Sequence, residues 1–339
     1  MSELRVGIVG SGFWASEMHL PAFATLPGVR VTHVSGAGPE RARALAERFG
    51  VARWSVGYEE LVADPDVDVV DIVAPNDLHA PAAIAAAASG KDVICIKPLA
   101  RTSAEAREML AAASAAGVRL LYAENVPFIP AVQRIKEVVD AGEIGEVFRI
   151  KACEGIARPH APWFLDPARS GGGVLIDMAV HSVAFCRFIA GADPVSVFAE
   201  VGNFTLAGQT PAEDTAVVTM RFPSGAIGQC EDSWSLTGAM DSRFEVFGTE
   251  GRVLVDNLHR QPIQVVAGDA GWSFPLPIAG AIADGHVAML GHFVEALRTG
   301  QRASCEGEDG LALLLAIEAA VRSAGSGRAE QVDEVRSIV

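Results

Sequence analysis

Short apolar runs alternate with amphipathic stretches along residues 4–122. The runs that predict strands cover 4–9, 29–34, 52–55, 67–73, 92–96 and 119–122, and helical patterns cover 39–49, 79–89 and 103–116. Most of the runs are rich in valine and isoleucine rather than cleanly alternating, which is typical of strands buried on both faces. The pattern therefore predicts an α/β fold with a doubly wound parallel sheet.

The rhythm changes after Asn125. Helical patterns cover 129–141, 175–189, 287–298 and 310–323, and runs with β character cover 147–152, 195–201, 215–222, 226–231, 243–247, 252–255 and 263–266. Strands that follow one another through short turns form antiparallel sheets. We therefore expect two domains, 1–124 and 125–339, the second an α/β domain with a large, mostly antiparallel open sheet. The final helix is expected to pack back on the first domain.

The first strand runs directly into a glycine-rich turn, Gly10-Ser11-Gly12-Phe13-Trp14-Ala15. Gly10 permits a tight bend, Gly12 lets backbone N–H groups approach a pyrophosphate, and Ala15 allows close packing of helix on strand. Strand, turn and helix arrive in the order of a dinucleotide fingerprint. The alternative is an ordinary strand-to-helix turn. The fingerprint predicts that the first domain is a Rossmann domain.

Composition and charge exclude several classes of partner. The chain has 339 residues, 42 of them acidic and 27 basic, for a net charge of -15, which disfavours nucleic acid and anionic membrane surfaces. No apolar run has the length of a membrane helix, and the chain starts without a signal-peptide pattern, so we expect a cytoplasmic protein. Its five cysteines are widely spaced and odd in number, and no metal-ligand spacing is present, so neither disulfides nor a metal site are expected.

Polar residues follow three of the predicted parallel strands. They are Ala74-Pro75-Asn76 with His79, Lys97-Pro98, and Asn125. Ligands of open parallel sheets bind at the carboxyl ends of the strands. Because Pro98 keeps Lys97 extended and ends its strand, the ammonium group is expected to point into the crevice and hydrogen-bond a substrate oxygen. The alternative is a solvated lysine at a strand end.

A second group of polar residues follows the triple glycine Gly171-Gly172-Gly173. Asp177 and His181 are four residues apart, so on one continuous helix their side chains share a face, where a carboxylate orients an imidazole for acid–base chemistry. The alternative is a first-turn acid beside a core histidine.

Together these motifs resemble the Gfo/Idh/MocA family of NAD(P)-dependent oxidoreductases, over nearly the whole chain and including Gly307-Glu308-Asp309-Gly310. The resemblance implies hydride transfer between nicotinamide and a carbinol or ketone carbon of a sugar derivative or cyclitol. It implies His181 as the proton donor or acceptor, Asp177 as its orienting partner, and Lys97 as the group that polarises the reacting oxygen. It also implies a homodimer or homotetramer formed through the C-terminal sheet.

The expected contacts follow from this resemblance and from the strand ends. Those for the cofactor are Gly10, Ser11, Gly12, Phe13, Trp14, Gly36, Arg41, Ala74, Pro75, Asn76, His79, Lys97 and Asn125. Those for the substrate are Lys97, Trp163, Arg169, Asp177 and His181. Trp163 could equally be a core anchor and Arg169 a surface ion-pair residue.

The chain departs from the family pattern in two places and carries one clue to the cofactor. Ile96 stands where the family usually has glutamate, and Ala184 stands where an acidic residue usually follows the histidine. No acidic residue occurs in 29–39, where an aspartate would bind both ribose hydroxyls of NAD, and Arg41, or less favourably Arg43, could reach a 2′-phosphate. The sequence thus favours NADP over NAD.

Two other functions remain open at this point. A catalytically silent NAD(P)-binding sensor is supported by the loss of the glutamate, although it has no need for Lys97, Asp177 and His181 together. A glycoside hydrolase that oxidises its substrate transiently with bound NAD would cleave a bond without net cofactor turnover.

Overall fold

The structure is a computed structural model that describes residues 3–236, 240–256, 264–267 and 282–335, with the backbone alone for 264–267 and 282–284. The chain divides into two compact units. In the described ranges, the first unit contains residues 3–124 and 286–311, and the second contains the remainder of 125–285 together with 312–335.

The first unit is built on a parallel sheet of six described strands in the order β3-β2-β1-β4-β5-β6. The strands are β1 (Leu4–Val9), β2 (Val29–Gly36), β3 (Arg53–Val56), β4 (Val69–Ile72), β5 (Asp92–Ile96) and β6 (Leu120–Ala123); the helices are α1 (Leu20–Thr25), α2 (Pro39–Phe49), α3 (Glu59–Ala63), α4 (His79–Ala88) and α5 (Ser103–Ala116). This strand order is that of a Rossmann fold, with the switch point between β1 and β4.

Burial explains why these runs form central strands. Four side chains at the centre of the sheet are fully buried, namely those of Val6, Ile8, Ile72 and Ile94. Both faces of the sheet centre are therefore covered. Helix α5 ends at Gly117, whose φ of 67° is the left-handed conformation that commonly terminates helices. Strands alternate with helices, and a glycine ends helix α5, so the chain forms the layered unit that the sequence predicts.

The second unit is built on a mixed sheet of eight described strands in the order β13-β12-β11-β7-β10-β9-β8-β14. The strands are β7 (Val147–Gly155), β8 (Ser196–Gly202), β9 (Thr215–Arg221), β10 (Ile227–Ser233), β11 (Asp241–Gly248), β12 (Gly251–Asp256), β13 (Gln264–Ala267) and β14 (Glu330–Gln331); the helices before β8 are α6 (Pro130–Asp140), α7 (Pro167–Ser170), α8 (Val174–Asp177) and α9 (Ala179–Ala190). All neighbouring pairs are antiparallel except β7 and β10, which are parallel.

One face of this mixed sheet is covered by helices. Cys230 on β10 and Phe244 on β11 are fully buried there, with α9 against the strands. The strands alternate buried and partly exposed positions, as β10 does along its whole length. This alternation is typical of a sheet with one packed face and one open face.

Two long helices, α10 (Ile282–Thr299) and α11 (Gly307–Ser326), complete the chain. The segment before α11 covers the edge of β6, because Leu121 pairs with Glu306 and the Tyr122 amide donates to the Cys305 carbonyl. A Cβ at Gly310 would meet the Leu99 side chain at 2.8 Å, so this glycine lets the start of α11 approach the sheet closely.

The α/β fold class, the parallel first sheet and the mostly antiparallel second sheet are confirmed. The expected strand 263–266 corresponds to β13, although Ile263 lies outside the described residues, as do residues 1–2 and 336–339 of the two expected domains. Within the described ranges, no single helix combines the length and the apolar character needed to cross a membrane.

Candidate functional site

The fingerprint turn begins where β1 ends. Gly10 has φ 130°, and a Cβ there would lie 2.0 Å from the Val73 carbonyl oxygen. The Gly10 amide donates to the Ser35 carbonyl at 3.0 Å. The turn is therefore pressed between the ends of β2 and β4, and only glycine fits its first position.

The second glycine of the turn faces open space. In the part of the chain that the structure describes, only the chain neighbours of Gly12 lie within 4 Å of a Cβ built there, and Phe13 is 54% exposed. The chain then enters a π-helical turn, Ala15–His19, that continues into α1. Backbone N–H groups at such a helix start, with space above them, fit a pyrophosphate.

Trp14 has an aromatic partner within the first unit. Its ring stacks on His286 with centroids 5.7 Å apart, and Phe13 meets it edge-on at 5.4 Å. Below this turn, His19 Nδ1 lies 2.8 Å from Asp71 Oδ2, and both side chains are fully buried. The turn is thus supported by a ring stack and by a buried polar pair.

The end of β2 lies against the fingerprint turn. A Cβ at Gly36 would meet Ser11 Oγ at 2.4 Å, so the two backbones are close together. Arg41 lies exposed in the first turn of α2, and Arg43 pairs loosely with Glu47 at 3.7 Å. No acidic residue therefore lies between residues 29 and 39, and the exposed residues Glu40, Arg41 and Arg43 follow in α2.

The segment after β4 is held by His79. Its ring is fully buried, with Nε2 2.9 Å from the Ala74 carbonyl and Nδ1 2.8 Å from the Pro98 carbonyl, and burial lowers its pKa. Pro75 leads into a single 3-10 turn at Asn76–Leu78, in which Asn76 is 3% exposed. His79 therefore ties together the segments that follow β4 and β5.

Lys97 directly follows β5 and is half-buried. Its amide donates to the Ala123 carbonyl at 3.3 Å, and the Lys97–Pro98 peptide is cis. Ile96, just before it, is 7% exposed, so the residue that replaces the family's glutamate lies in the core. Asn125 belongs to the second unit, is 7% exposed, and accepts at its carbonyl from the Phe128 amide.

The expected continuous helix over 175–189 is wrong, because it is broken at Met178. Helix α8 ends at Asp177, α9 begins at Ala179, and the segments Pro167–Asp177 and Ala179–Ala190 meet at 44°. The His181 amide donates to the Met178 carbonyl at 3.0 Å, which is an i to i+3 bond. Asp177 and His181 therefore lie on either side of a bend rather than along one helix.

Asp177 is fully buried and bonded to a tryptophan that the sequence did not indicate. Trp234, also fully buried, directly follows β10 and donates its Nε1–H to Asp177 Oδ2 at 2.8 Å. Phe164 meets the Trp234 ring edge-on at 6.2 Å, and Trp163 stacks on Phe164 at 3.8 Å. His181, by contrast, is half-buried.

The triple glycine is packed against a second residue that the sequence did not indicate. A Cβ at Gly173 would lie 2.1 Å from the Glu213 carbonyl oxygen. That carbonyl accepts from the Val174 amide, Glu213 Oε1 accepts from the Leu175 amide at 3.1 Å, and burial raises the pKa of this carboxyl. Glu213 thus caps the short α8, while Arg169 lies half-buried in α7.

Trp234 and Glu213 were missed for the same reason. They lie 57 residues from Asp177 and 38 residues from Leu175 along the chain. No local spacing relates them to the helices they contact. Their only signal in the sequence was position. Trp234 lies just after the predicted strand 226–231, and Glu213 lies just before the predicted strand 215–222.

The second unit thus brings Asp177, His181, Trp163 and Arg169 onto neighbouring elements, and the first unit brings together the fingerprint and the ends of β2, β4 and β5. A buried carboxylate with a fixed donor can orient and charge-balance an imidazole. A half-buried imidazole can act as a general acid or a general base. This arrangement is suited to acid–base chemistry on a hydroxyl or carbonyl group.

Two family models match the chain. The oxidoreductase family with NAD-binding Rossmann fold, GFO/IDH/MocA, matches residues 4–124, and the GFO/IDH/MocA C-terminal domain matches residues 132–254. Myo-inositol 2-dehydrogenase of Thermotoga maritima is 31% identical over 98% of this chain and 99% of its own. The 1,5-anhydro-D-fructose reductase of Ensifer adhaerens is 33% identical over 97% of this chain and 98% of its own.

Solved structures show the same similarity. A levoglucosan dehydrogenase in complex with NADH and L-sorbose has a TM-score of 0.91 and 28% identity, and the match covers 99% of this chain and 100% of that one. Agreement over both units, in fold and in sequence, excludes a likeness confined to the nucleotide fold. The chain belongs to the Gfo/Idh/MocA family of oxidoreductases, whose first domain is an NAD-binding Rossmann fold.

Proposed function

We propose that the protein is an NAD(P)-dependent dehydrogenase or reductase that acts on a CH–OH group of a sugar derivative or cyclitol. The observation that carries the proposal is the buried Asp177 carboxylate, held by Trp234 and followed by the half-buried His181. A protein that only binds dinucleotide has no use for an acid–base pair. The names of the relatives, which include an inositol dehydrogenase and an anhydrofructose reductase, support the substrate class.

The proposed roles follow from the chemistry of each group. When bound, the nicotinamide supplies the hydride acceptor or donor. His181 takes the hydroxyl proton as the alcohol becomes a ketone and returns it in the reverse direction. Asp177 orients the imidazole and balances its positive charge, and Lys97 donates a hydrogen bond to the reacting oxygen.

The remaining expected contacts support these roles. We propose that Gly10, Ser11, Gly12, Phe13, Trp14, Gly36, Ala74, Pro75, Asn76, His79 and Asn125 form or shape the cofactor site. His79 would act through the two carbonyls that it joins. We propose that Trp163 and Arg169 contact the substrate. Their support is a half-buried position on the elements that precede α8.

We propose that NADP is preferred to NAD. The supporting observation is that residues 29–39, which include Gly36 against Ser11, carry no acidic residue, and that Arg41 is exposed in the first turn of α2. Isothermal titration with both cofactors tests this, and we expect tighter binding of NADP. An NAD preference of roughly tenfold, about 1.4 kcal/mol, would overturn it.

A substrate screen tests the activity. Myo-inositol, levoglucosan and further sugars and cyclitols are offered with NAD and NADP, and 1,5-anhydro-D-fructose with the reduced cofactors, while nicotinamide absorbance is followed. We expect turnover by the wild-type protein, a loss of roughly 10² or more in kcat for His181→Ala, and unchanged cofactor affinity in that variant. A lesser but clear loss is expected for Lys97→Ala.

Two outcomes of the screen would contradict the proposal. Cofactor binding without turnover of any member of the panel indicates a sensor. Cleavage of a glycosidic bond without net change in the cofactor indicates a hydrolase.

We also propose a cytoplasmic homo-oligomer that assembles through the open face of the mixed sheet. The five cysteines are free and buried, which suits a reducing compartment. The outer sheet face carries no described helix, and Val217 on this face of β9 is 42% exposed.

A further inference from the structure

The bend at Met178 leaves a geometric problem for any chemistry that uses Asp177 and His181 together. On one straight helix, residues four apart are held in register by the backbone. Here the two residues lie on different helices that meet at 44°. Their relative position therefore depends on contacts from outside the helices.

The end of β10 supplies a contact on each side of the bend. Trp234 donates to Asp177, the last residue of α8, at 2.8 Å, and Asp232 Oδ1 accepts from Ser182, next to His181 in α9, at 2.7 Å. All four side chains that make these bonds are at most 1% exposed. Strand β10 therefore joins both helices across the break.

Trp234 is itself held at two points. Its backbone amide donates to the Asp214 carbonyl at 2.7 Å, and its ring packs edge-on against Phe164. Asp214 is anchored in turn, because Oδ2 accepts from the amides of Phe204, Thr205 and Leu206 at 2.6 to 3.0 Å. Although burial acts in the opposite direction, these bonds lower the pKa of Asp214 to about 2.

The chemistry of the indole makes this contact directional. An indole nitrogen is a donor only, so Oδ2 of Asp177 must accept, and the bond favours the ionised carboxylate. The charged form of a fully buried carboxylate is otherwise disfavoured by loss of solvent. The Trp234 hydrogen bond therefore orients the Asp177 carboxylate and favours the charged form that an imidazole partner needs.

We propose that Trp234 is a positioning residue of the dehydrogenase: its indole N–H holds the Asp177 carboxylate in place for the imidazole of His181. The inference rests on the proposed function, since it assigns a partner to the acid–base pair. Ser182 and Asp232 hold the other side of the bend. Trp234 acts through Asp177 and is not itself a catalytic residue.

A spectroscopic experiment reads the hydrogen bond without any substrate. The full-length protein is labelled with ¹⁵N-tryptophan, and the Trp234 indole signal is assigned by its loss in Trp234→Phe. In Asp177→Asn the acceptor becomes neutral, so we expect the Trp234 indole proton to move upfield, while the signal of Trp54 on β3 stays in place. A Trp234 signal that does not respond to Asp177→Asn overturns the inference.

Kinetics with the full-length protein then test the positioning role. We expect Trp234→Phe to lower kcat roughly tenfold to a hundredfold, with KM and cofactor affinity near the wild-type values, since it misplaces a reacting group without removing it. The acidic limb of the pH–rate profile is expected to move to higher pH. Rates are normalised to cofactor-binding sites, so that misfolded protein does not count.

The matched control is Trp54→Phe, the same substitution at a residue that is 40% exposed on β3. It is expected to leave kcat and the pH profile unchanged. If the wild-type protein is active and Trp234→Phe has a normal kcat, the inference is overturned and the proposed function stands. A wild-type protein that turns over no member of the panel contradicts the proposed function, and the indole signal then decides whether Trp234 holds Asp177.

Discussion

Gly10 and Gly12 lie two residues apart in the same turn, and different steric constraints act on them. At Gly10 the protein's own backbone leaves no room, since a Cβ would lie 2.0 Å from the Val73 oxygen at φ 130°. At Gly12, chain neighbours aside, none of the described residues lies within 4 Å of such a Cβ. The first glycine is therefore required for folding, while the second is required only if something else occupies the space.

This contrast gives a paired prediction. Gly12→Val is expected to leave the unfolding transition unchanged and to weaken dinucleotide binding by roughly tenfold or more, about 1.4 kcal/mol, because the side chain fills the approach to the backbone amides. Gly10→Ala is expected to destabilise the protein by about 1–3 kcal/mol or more through backbone strain. Thermal melts and cofactor titrations measure both. Normal cofactor binding by a folded Gly12→Val protein would show that the turn is not a pyrophosphate site.

Residue types at strand ends could be predicted from the sequence, whereas their long-range partners could not. The glycines, Lys97 and Asn76 stand where local pattern changes from strand to turn, and such changes are visible in a single sequence. Trp234 could not be found in this way, because its bond to Asp177 spans 57 residues. That contact exists only once β10 and α8 have been brought together by the sheet.

Among the secondary-structure elements, the helix broken at Met178 shows that the residue pattern can predict a continuous helix where the structure has a bend. The run from Leu175 to Ile189 contains no glycine or proline that would mark a break. The break is tertiary in origin: Glu213 caps the start of α8, and Trp234 binds its last residue. Local pattern predicts that a helix exists better than where it bends.

The contact between β10 and α9 carries a pH dependence. Burial raises the pKa of Asp232 to about 8, and only Ser182 donates to it in the described structure. An aspartate in the unfolded chain ionises near pH 3.9, at about its ordinary pKa. Because the folded pKa is the higher one, the stabilising contribution is complete below about pH 4 and is lost progressively as the pH rises to about 8.

Asp232→Asn removes this dependence, because the amide keeps an oxygen acceptor for Ser182 and has no proton to lose. We expect the variant to gain stability relative to the wild-type protein from about pH 5 to about pH 8, with the difference levelling off above that. Denaturant midpoints across this range measure it. Asp140→Asn, at an exposed site paired with Lys136, is the control and should give a difference independent of pH. If the denaturant midpoints of Asp232→Asn and the wild-type protein change with pH in parallel, the Asp232 carboxyl is ionised in the folded protein.

At the scale of the whole molecule, the two sheets were predictable to different depths. Alternating strands and helices constrain a parallel sheet to few topologies, so the first sheet follows from the pattern. In the second, β7 pairs with both β10 and β11, and its parallel pairing with β10 joins strands far apart in the chain. The assignment of 286–311 to the first unit is likewise long-range, since it depends on contacts such as that of Leu121 with Glu306.

The open face of the second sheet leads to a prediction about assembly. Across its strands run the neighbours Glu200, Val217 and Glu231, with Lys151 beside Glu231 at 2.9 Å. Val217 is 42% exposed in the single chain, so it tolerates substitution there, yet it lies on the sheet face of the proposed interface. A third carboxylate between Glu200 and Glu231 would repel its counterparts in a facing copy.

Val217→Glu is therefore expected to dissociate the assembly while leaving the chain folded. Light scattering should give a multiple of 35.5 kDa for the wild-type protein and a smaller mass for this variant, with unchanged circular dichroism. Val321→Glu makes the same change on α11, at a residue 56% exposed and away from the sheet face, and should keep the wild-type mass. The interface proposal fails if the wild-type protein is a monomer at micromolar concentration, or if Val321→Glu dissociates it and Val217→Glu does not. Dissociation by Val217→Glu alone would mean that the open face is buried between copies.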